Sequence, residues 1–286
     1  MSKNKPKTFA LFPNISKRQS KSIAIGIREY LNNREATVIT EDDEAELIGA
    51  LPLSEVDPKS IDIMISLGGD GTILRLVQNH PEISAPIVGI NLGSLGFMAD
   101  VPVTEIYPTL EDLLNRNFKI HSRLMMEGYS VKNEKFHAIN ECVIHRAQNP
   151  CLVDLAIHVD GNYLNTFSAD GVIISTPSGS TAYSLAAGGP ILTPELEAFV
   201  ITPISPHTIS NRPIVLMPEH DIQIQYISEH EPVEISYDGF GQIKMNTGEV
   251  FHIKKAERRC QLISLAHHEY FSTLRKKLGW SGKLRA

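Results

Sequence analysis

The chain reads Ile61-Asp62-Ile63-Met64-Ile65-Ser66-Leu67-Gly68-Gly69-Asp70-Gly71-Thr72 at the point that decides its fold. The apolar half of this stretch is typical of a buried strand, and the glycines after it permit a sharp turn into a helix. A helix that begins directly after a strand presents free N–H groups, and its macrodipole attracts anions. Gly68, Gly69 and Gly71 let the backbone approach phosphate oxygens closely. Thr72 adds a hydroxyl donor, so we predict a phosphate site at this turn.

Asp70 is the member of the turn that a phosphate site does not need. A carboxylate repels phosphate, so its place there is unfavourable unless it handles a proton, a metal ion or a substrate hydroxyl. This mismatch indicates chemistry rather than passive binding. On these five residues alone, a tight turn whose helix is capped by Asp70 explains the sequence equally well.

Length and composition are those of an ordinary globular protein. The 286 residues can form one large domain or two of medium size. Three cysteines without C-x-x-C spacing indicate neither a disulfide framework nor a zinc site and are typical of a reducing compartment. No stretch of about 18 apolar residues occurs, and the formal net charge is −6. We therefore expect a cytoplasmic protein that binds neither membranes nor nucleic acids.

The chain has two parts with different patterns of apolar residues. From residue 8 to about 118, short apolar runs alternate with helical patterns, which is typical of a parallel α/β sheet. The first helix is predicted to start at Ser16, with Gln19 completing a capping box. After residue 119 the pattern changes to successive strand-like segments. This change predicts an N-terminal α/β domain over residues 1–119 and a β-rich domain over residues 120–264.

Hairpin turns and one helix are predicted within the β-rich part, and a second helix is predicted after it. Asp160-Gly161 and Asp238-Gly239 lie between apolar runs, and their glycines accept the positive φ that a tight hairpin requires. Helices are predicted over residues 181–187 and 267–278, and we expect the second to return to the first domain. The strands are predicted over Leu124–Val131, Lys135–Arg146, Leu152–Val159, Tyr163–Thr176, Pro213–Met217, Asp221–Ser228 and Pro232–Tyr237.

A second glycine-containing constellation begins at Asp170-Gly171. The apolar run over residues 172–175 leads into Thr176-Pro177-Ser178-Gly179-Ser180-Thr181-Ala182-Tyr183. Hydroxyl and free N–H groups in such a loop suit hydrogen bonding to ribose, base edges or phosphate. Ser and Thr also cap helices for purely local reasons, and that interpretation remains open.

Asn140-Glu141 is a third candidate, in the middle of an apolar strand pattern. Burying an unpaired Glu is unfavourable, which favours a site residue over a core residue. Adjacent residues on a strand point to opposite faces. We therefore expect at most one of the pair to face a given pocket unless a bulge intervenes.

Several common enzyme motifs are absent from the sequence. It contains no Walker A motif, which excludes a P-loop kinase or ATPase. The first strand ends in Leu11-Phe12-Pro13-Asn14 rather than in G-x-G-x-x-G, so a standard Rossmann dehydrogenase is disfavoured. Neither G-x-S-x-G nor H-E-x-x-H occurs, and hydrolase and zinc-enzyme interpretations lose their usual support.

Taken together, six segments are similar to the bacterial NAD kinase family, which includes ATP-NAD kinases and inorganic polyphosphate/ATP-NAD kinases. Their order and spacing agree with that family across nearly the whole chain. The glycine turn alone also resembles diacylglycerol and sphingosine kinases and phosphofructokinases, whereas residues 170–192 are far more specific. The segments are Gly68–Thr72, Asn91–Phe97, Asn140–Glu141, Asp170–Tyr183, Gly188–Leu192 and Pro203–His207.

The resemblance implies a Rossmann-like N-terminal α/β domain, a β-rich C-terminal domain, and a C-terminal segment, residues 265–286, that packs back on the first. It implies an enzyme that transfers the γ-phosphoryl group of ATP to the adenosine 2′-hydroxyl of NAD, which makes NADP. NAD and ATP are then the substrates, with polyphosphate as an alternative donor. The resemblance also implies a homodimer or homotetramer.

Site residues of the family carry over position by position. Asp70 matches the residue that accepts the proton of the ribose hydroxyl, and the surrounding Gly68, Gly69, Gly71 and Thr72 match the phosphate-holding positions. Asp170 matches a carboxylate near the nicotinamide side. No site residue is taken from before residue 60. The positions that match adenosine-binding residues are Phe97, Asn140, Glu141, Thr181, Ala182 and Tyr183, and Ser178 and His207 match motif positions whose roles we leave unassigned.

Mg²⁺ is expected to arrive on the phosphates of ATP, because no all-protein magnesium cage is visible and this ion usually keeps few protein ligands. Two other classes of function remain open. One is a lipid or sugar kinase built on the same glycine turn, which residues 170–192 disfavour. The other is a dinucleotide-binding sensor without turnover, which Asp70 disfavours because a passive binder gains nothing from that charge.

Overall fold

The computed structural model describes residues 7–130, 135–208, 210–265 and 269–280. By their contacts these residues divide into two compact units. The first contains the chain up to His121 and from Gln261 onward, and the second runs from Ser122 to Cys260. The sequence predicts boundaries after residues 119 and 264.

The secondary structure of the described residues alternates in the first part and is mostly β in the second. The strands are β1 (Thr8–Pro13), β2 (Thr37–Thr40), β3 (Leu51–Pro52), β4 (Ile63–Gly68), β5 (Ile87–Asn91), β6 (Val101–Pro102), β7 (Lys119–Arg123), β8 (Met126–Tyr129), β9 (Lys135–Ala138), β10 (Glu141–His145), β11 (Val153–Val159), β12 (Asn162–Ala169), β13 (Gly171–Ser175), β14 (Phe199–Ile204), β15 (Ile214–Leu216), β16 (Ile222–Tyr226), β17 (Val233–Tyr237), β18 (Phe240–Met245), β19 (Val250–Lys255) and β20 (Cys260–Ser264). The helices are α1 (Ser20–Asn32), α2 (Asp42–Ile48), α3 (Asp70–Asn79), α4 (Ile106–Leu114), α5 (Tyr183–Ala186) and α6 (Tyr270–Leu278). None of these helices has the length and apolar character needed to cross a membrane.

The first unit is built on one sheet with strand order β3-β2-β1-β4-β5-β20-β7, in which β6 also pairs with β5. Strands β1 to β5 run parallel. Helix α1 leads from β1 to its neighbour β2, whereas α3 leads from β4 to β5 on the opposite side. The order of travel across the sheet therefore reverses between β1 and β4. In open α/β sheets, ligands bind at this switch point, outside the carboxyl ends of the strands.

Burial explains why these segments form the centre of the first unit. Leu11 on β1 and Ile65 on β4 are fully buried, as continuous apolar runs in a parallel sheet predict. Ile27 and Leu31 of α1 pack into the same cluster, and Ile23 and Tyr30 are partly buried against it.

The predicted start of α1 is wrong. The helix begins at Ser20, and its N-cap residue Gln19 makes no side-chain capping hydrogen bond. The Ser16 hydroxyl donates instead to Asn14 Oδ1 at 2.6 Å. The chain between β1 and α1 is therefore a structured loop rather than a first helical turn.

The second unit contains two antiparallel sheets of six strands. Their orders are β15-β14-β13-β10-β17-β18 and β12-β11-β16-β19-β8-β9. Side chains from both sheets share one hydrophobic cluster that includes the fully buried Phe167, Phe199, Tyr226 and Phe251. The predicted β-rich character of this part is confirmed.

Both predicted hairpin turns are present. Asp160 and Gly161 have φ of 50° and 77°, and Asp238 and Gly239 have φ of 49° and 74°. Two adjacent residues at positive φ are the geometry that a two-residue hairpin requires.

Other strand boundaries differ from the prediction. The predicted strand Lys135–Arg146 is interrupted at residues 139–140, and the predicted strand Tyr163–Thr176 is interrupted at Asp170. Both interruptions fall on predicted site residues. Strands β7, β14, β18, β19 and β20 have no counterpart among the strands predicted after residue 119.

Candidate functional site

The glycine turn lies at the switch point, where β4 ends at Gly68 and α3 begins at Asp70. Gly69 is the N-cap residue, and its N–H donates to Thr72 Oγ1 at 3.3 Å. A Cβ at Gly68 would overlap the Thr72 hydroxyl, so this glycine is required by the turn itself. A Cβ at Gly71 would meet no heavy atom within 4 Å. Gly71 is exposed, and its open surroundings leave room for a ligand beside the backbone.

The Asp70 carboxylate does not cap its own helix. Oδ2 accepts the N–H of Phe97 at 2.8 Å, and Oδ1 accepts the N–H groups of Met98 at 3.1 Å and Ala99 at 2.8 Å. The explanation of Asp70 as a local helix cap is therefore wrong. Because charge-assisted hydrogen bonds hold both oxygens, the carboxylate has a fixed position in front of the helix.

The loop after β5 is shaped to receive this carboxylate. A Cβ at Gly96 would overlap Asp70 Oδ1. Asn91 supports the loop from inside: its Oδ1 accepts the N–H of Gly93 at 2.7 Å, and its Nδ2 donates to Ala99 O at 3.1 Å. The motif Asn91–Phe97 is thus a loop held by one buried amide and one carboxylate.

Phe97 lies on this loop with its ring partly exposed. Its ring centroid is 5.9 Å from that of Tyr270 on α6, and Lys277 Nζ lies 4.9 Å from the Phe97 ring centre. The predicted adenosine-binding aromatic is therefore positioned by Asp70 through its backbone and by α6 through its ring.

Asn140 and Glu141 lie in the second unit, between the end of β9 and the start of β10. The Asp238 carboxylate holds this segment, since it accepts the N–H groups of Ile139 and Asn140 at 2.8 Å each and of Glu141 at 3.1 Å. Because the chain is irregular between β9 and β10, the expected alternation of neighbouring side chains between the two faces of a strand does not apply here. Both side chains are buried, with 8% of each residue exposed.

Two buried polar atoms of this pair are unsatisfied. Among the described residues, neither Asn140 Oδ1 nor Glu141 Oε2 has a hydrogen-bond partner. A buried polar atom without a partner costs about 1–3 kcal/mol. Such atoms are expected where a ligand completes the hydrogen bonds, so the geometry supports a recognition site.

Burial, with a further contribution from the Asp238 charge, raises the pKa of Glu141 to about 8. The carboxyl group therefore carries a proton over most of the neutral range. A protonated carboxyl both donates and accepts hydrogen bonds, which suits a hydroxyl-bearing ligand.

The hydroxyl-rich loop packs directly on this pair. The Thr176 N–H donates to Asn140 O at 2.8 Å, and a Cβ at Gly179 would overlap the same carbonyl. The Ser180 hydroxyl donates to Pro177 O at 2.7 Å, so it serves the loop itself. Neither the 3-10 turn over Gly179–Thr181 nor the helix over Tyr183–Ala186 has a side-chain cap at its N-cap residue, so the local-capping interpretation is not confirmed.

The remaining predicted residues of the loop face outward. A 3-10 turn covers Gly179–Thr181 and a helix covers Tyr183–Ala186, in place of one predicted helix over residues 181–187. The Thr181 hydroxyl donates to Ser178 O at 3.2 Å. Tyr183 is 46% exposed, and Ser178, Thr181 and Ala182 are partly exposed.

Asp170 and His207 lie at the other edge of the same sheet. Glu141 pairs with Ser175 at one end of β10 and β13, and His145 pairs with Gly171 at the other end. Asp170 is therefore separated from Thr176 by the length of β13, about 20 Å. The Arg146 Nε lies 2.7 Å from Asp170 Oδ1. His207 is exposed, and its N–H donates to Ser168 O at 2.9 Å.

The structure thus brings the predicted residues together in three groups. In the first unit these are Gly68, Gly69, Asp70, Gly71, Thr72 and Phe97. In the second unit, one edge of a sheet holds Asn140, Glu141 and the loop 176–183, and the opposite edge holds Asp170 and His207. Among the described residues, no group of three or more His, Cys, Asp and Glu side chains is placed to hold a metal ion.

Sequence reasoning missed two positioning residues. Asp238 was assigned only to a hairpin turn, and its hydrogen bonds to residues 139–141 span nearly a hundred positions in sequence. Arg146 lies beside Asp170, the residue at which the predicted strand Tyr163–Thr176 is interrupted. An arginine at this position gives no signal in the sequence that it positions another residue. The one sequence feature that could have indicated a positioning role is a carboxylate directly after an apolar strand, as at Asp238.

Comparison with known proteins gives a consistent result. Residues 19–118 match the ATP-NAD kinase N-terminal domain, and residues 139–265 match the ATP-NAD kinase C-terminal domain. An NAD kinase of Protochlamydia amoebophila is 59% identical over 276 residues, which are 96% of this chain and 99% of that protein. An NAD kinase of Geotalea daltonii is 37% identical over 282 residues, again 96% of this chain and 99% of its own length.

Solved structures agree with these matches. A yeast NADH kinase in complex with NADH superimposes with a TM-score of 0.90 at 26% identity, and the match covers 99% of this chain and 90% of the yeast chain. An NAD kinase from Archaeoglobus fulgidus in complex with ATP has a TM-score of 0.75 at 24% identity over 96% of this chain and 100% of its own, and this likeness concerns the fold.

Proposed function

This chain belongs to the ATP-NAD kinase family and phosphorylates NAD to NADP with ATP, and we propose that Asp70 receives the proton of the acceptor hydroxyl. One observation carries this role: a carboxylate stands inside the glycine turn, held there by the N–H groups of Phe97, Met98 and Ala99. An ionised carboxylate has about four acceptor positions. Three are used by the loop, and the remaining one is left for a hydroxyl.

Positioning matters more than basicity in this step. A carboxylate is too weak a base to ionise a ribose hydroxyl in advance. In the loose transition state typical of phosphoryl transfer, the nucleophile keeps its proton until late. The carboxylate then orients the 2′-hydroxyl and takes its proton as the new oxygen–phosphorus bond forms. The bond from the γ-phosphorus to the bridging β-phosphate oxygen breaks in the same step, and ADP leaves with that oxygen. The fixed geometry of Asp70 is what this mechanism needs.

The glycine turn is proposed to hold the phosphates of ATP. In the first turn of α3 the Thr72 N–H donates to Gly69 O at 2.9 Å. The N–H groups of Asp70 and Gly71, which precede it, have no intrahelical acceptors, and the helix dipole favours an anion in front of them. Gly71 leaves space there, and Thr72 keeps a hydroxyl proton to donate. Mg²⁺ is proposed to enter on the ATP phosphates, where it would neutralise part of their charge during transfer.

Asn140 and Glu141 are proposed to bind the adenosine part of NAD, together with Phe97, Thr181, Ala182 and Tyr183. The unsatisfied Asn140 Oδ1 and Glu141 Oε2 support this assignment. Asp170 is proposed to serve the nicotinamide side. Its ion pair with Arg146 holds the carboxylate in place and offsets its charge. The roles of Ser178 and His207 remain unassigned.

Further properties follow from family membership as proposals. We expect a cytoplasmic enzyme that forms a homodimer or homotetramer, and light scattering coupled to size exclusion measures that state. The acceptor range is open because a yeast relative is an NADH kinase. NADH and polyphosphate therefore belong in the substrate panel as alternative acceptor and alternative donor.

One assay tests the whole assignment. The purified chain is incubated with ATP, Mg²⁺ and NAD, and NADP is detected with an NADP-specific dehydrogenase. We expect NADP to accumulate only when all three are present. Phosphorylation of a lipid or sugar alcohol instead of NAD would support the alternative kinase class, and tight NAD binding without NADP would support a sensor.

A further inference from the structure

Lys17 lies in the loop between β1 and α1, at the switch point of the first unit's sheet. Asn14 opens this loop, and its N–H is tied to the end of β4 by a backbone hydrogen bond of 2.8 Å. Lys17 Nζ donates to Gly68 O at 3.0 Å. It also lies 3.9 Å from the position that a Cβ would occupy at Gly69 and 3.7 Å from that at Gly93. The ammonium group therefore stands among the loops that follow β1, β4 and β5.

The donor capacity of Lys17 is only partly used. A lysine ammonium group has three N–H donors, and Gly68 O accepts one of them. Within the part of the chain that the structure describes, no carboxylate forms an ion pair with Lys17. The Asp70 carboxylate of the same turn points to the N–H groups of residues 97–99. Two donors and a full positive charge are thus left beside the glycine turn.

A cation at this place is unfavourable on its own. The N-terminus of α3, a helix of ten residues, already presents the positive end of a helix dipole there. A bound anion removes this conflict, because it attracts the ammonium group and the helix N-terminus at once. The open surroundings of Gly71 give such an anion room to approach the backbone.

We propose that Lys17 binds the phosphate chain of the phosphoryl donor and positions it across the glycine turn. The proposal rests on the proposed function only in naming that donor as a nucleoside triphosphate. The two unused N–H groups of Lys17 donate to phosphate oxygens while the third holds Gly68 O. Lys17 therefore acts on the donor and leaves the NAD site unchanged.

A purely structural role is the alternative, in which Lys17 only ties the β1 loop to Gly68 O. Lys17→Gln separates the two roles, since the amide keeps an N–H donor but loses the charge. Lys17→Met removes both, and Lys17→Arg keeps the charge. Lys21→Met is the matched control, because Lys21 is an exposed lysine on the adjoining helix α1.

Binding is measured by calorimetry for ATP, tripolyphosphate and NAD separately, with melting temperature as the check on folding. We expect Lys17→Met and Lys17→Gln to weaken ATP and tripolyphosphate binding about 10- to 100-fold, a change of about 1.4–2.8 kcal/mol. Lys17→Arg should retain most of the affinity, and Lys21→Met and all NAD affinities should change less than twofold. In turnover the same variants should raise the KM for ATP more than they lower kcat.

Retention of ATP and tripolyphosphate affinity by folded Lys17→Gln overturns the proposal and leaves only the tether. Equal losses for NAD and for ATP also overturn it, since they indicate a general loss of structure. These binding measurements need no turnover. A wild-type chain that binds tripolyphosphate through Lys17 but makes no NADP would refute the proposed function while supporting this inference.

Discussion

Gly96→Ala moves Asp70 without removing it, and it therefore tests whether the position of that carboxylate matters. A Cβ at Gly96 would overlap Asp70 Oδ1 and lie 2.9 Å from Ala99 O. Gly96 is not among the glycines with positive φ, so alanine can adopt its backbone conformation and the effect is one of space. The substitution forces the carboxylate away from the loop that holds it.

The size of the effect follows from the displaced hydrogen bonds. Oδ1 accepts the N–H groups of Met98 and Ala99, and each such charge-assisted bond contributes about 1.5–3 kcal/mol. Losing both costs at least about 3 kcal/mol in folding free energy, which corresponds to a melting temperature lower by about 6–12 °C. A displacement of about 1 Å at the reacting hydroxyl lowers kcat about 10²-fold.

The assay is kcat at saturating NAD and ATP, below the melting temperature of the variant, with NAD affinity measured in parallel. Ser94→Ala in the same loop is the control, because the structure uses its carbonyl rather than its side chain. We expect Ser94→Ala to match the wild type. A folded Gly96→Ala enzyme with kcat within twofold of the wild type would refute the reasoning.

Three further predictions concern other parts of the site. Gly71→Ala should leave folding stability unchanged or slightly raised, because the added Cβ meets only open space in the protein. The same Cβ should weaken ATP binding about tenfold or more, because it occupies the space proposed for the phosphates; unchanged ATP affinity, measured by calorimetry, would place the phosphates elsewhere. Asp238→Ala removes the acceptor of three N–H groups around Asn140, and it should raise the KM for NAD about tenfold or more while the KM for ATP is unaffected. Asp238→Asn should recover part of the lost NAD affinity. Equal effects on the KM for NAD and the KM for ATP would contradict this role of Asp238. The folded-state pKa of Glu141 is raised to about 8, so its contribution to stability is present below its unfolded pKa of about 4.5 and is lost as the pH rises toward 8, with a slope of up to about 1.4 kcal/mol per pH unit. Urea unfolding at pH 5.5 and 7.5 should therefore show a smaller decrease in the free energy of unfolding for Glu141→Gln than for the wild type. Equal decreases would count against the raised pKa.

Local signals in the sequence were sufficient for the glycine turn. Gly68 is required where β4 meets α3, and every residue of β4 is buried. Both features depend on residues within a few positions of each other. The hairpins at Asp160 and Asp238 were predictable for the same reason.

Long-range hydrogen bonds explain most of what the sequence did not show. The interruption between β9 and β10 at Asn140 is stabilised by hydrogen bonds to Asp238. The hydrogen bonds of Asp70 to residues 97–99 connect loops that follow two different strands. Neither contact has a periodic signal. The capping box at Ser16 failed because Ser16 bonds Asn14, whose N–H is already tied to β4.

Strand β14 shows how pairing can override a local rule. Pro203 disfavours a strand, since proline cannot donate to a ladder. In the structure, β15 pairs only with Phe199–Ile201, so Pro203 faces a partner on one side alone. The missing N–H is therefore tolerated, and the strand extends to Ile204.

The most direct measurement of the central claim is turnover of Asp70→Asn, with NAD affinity determined on the same preparation. Asparagine keeps one oxygen for the loop but cannot take up the hydroxyl proton. We predict that kcat falls about 10²- to 10⁴-fold while the dissociation constant for NAD changes less than about threefold. A folded variant that retains near-wild-type kcat would contradict the assignment of Asp70 as the proton acceptor.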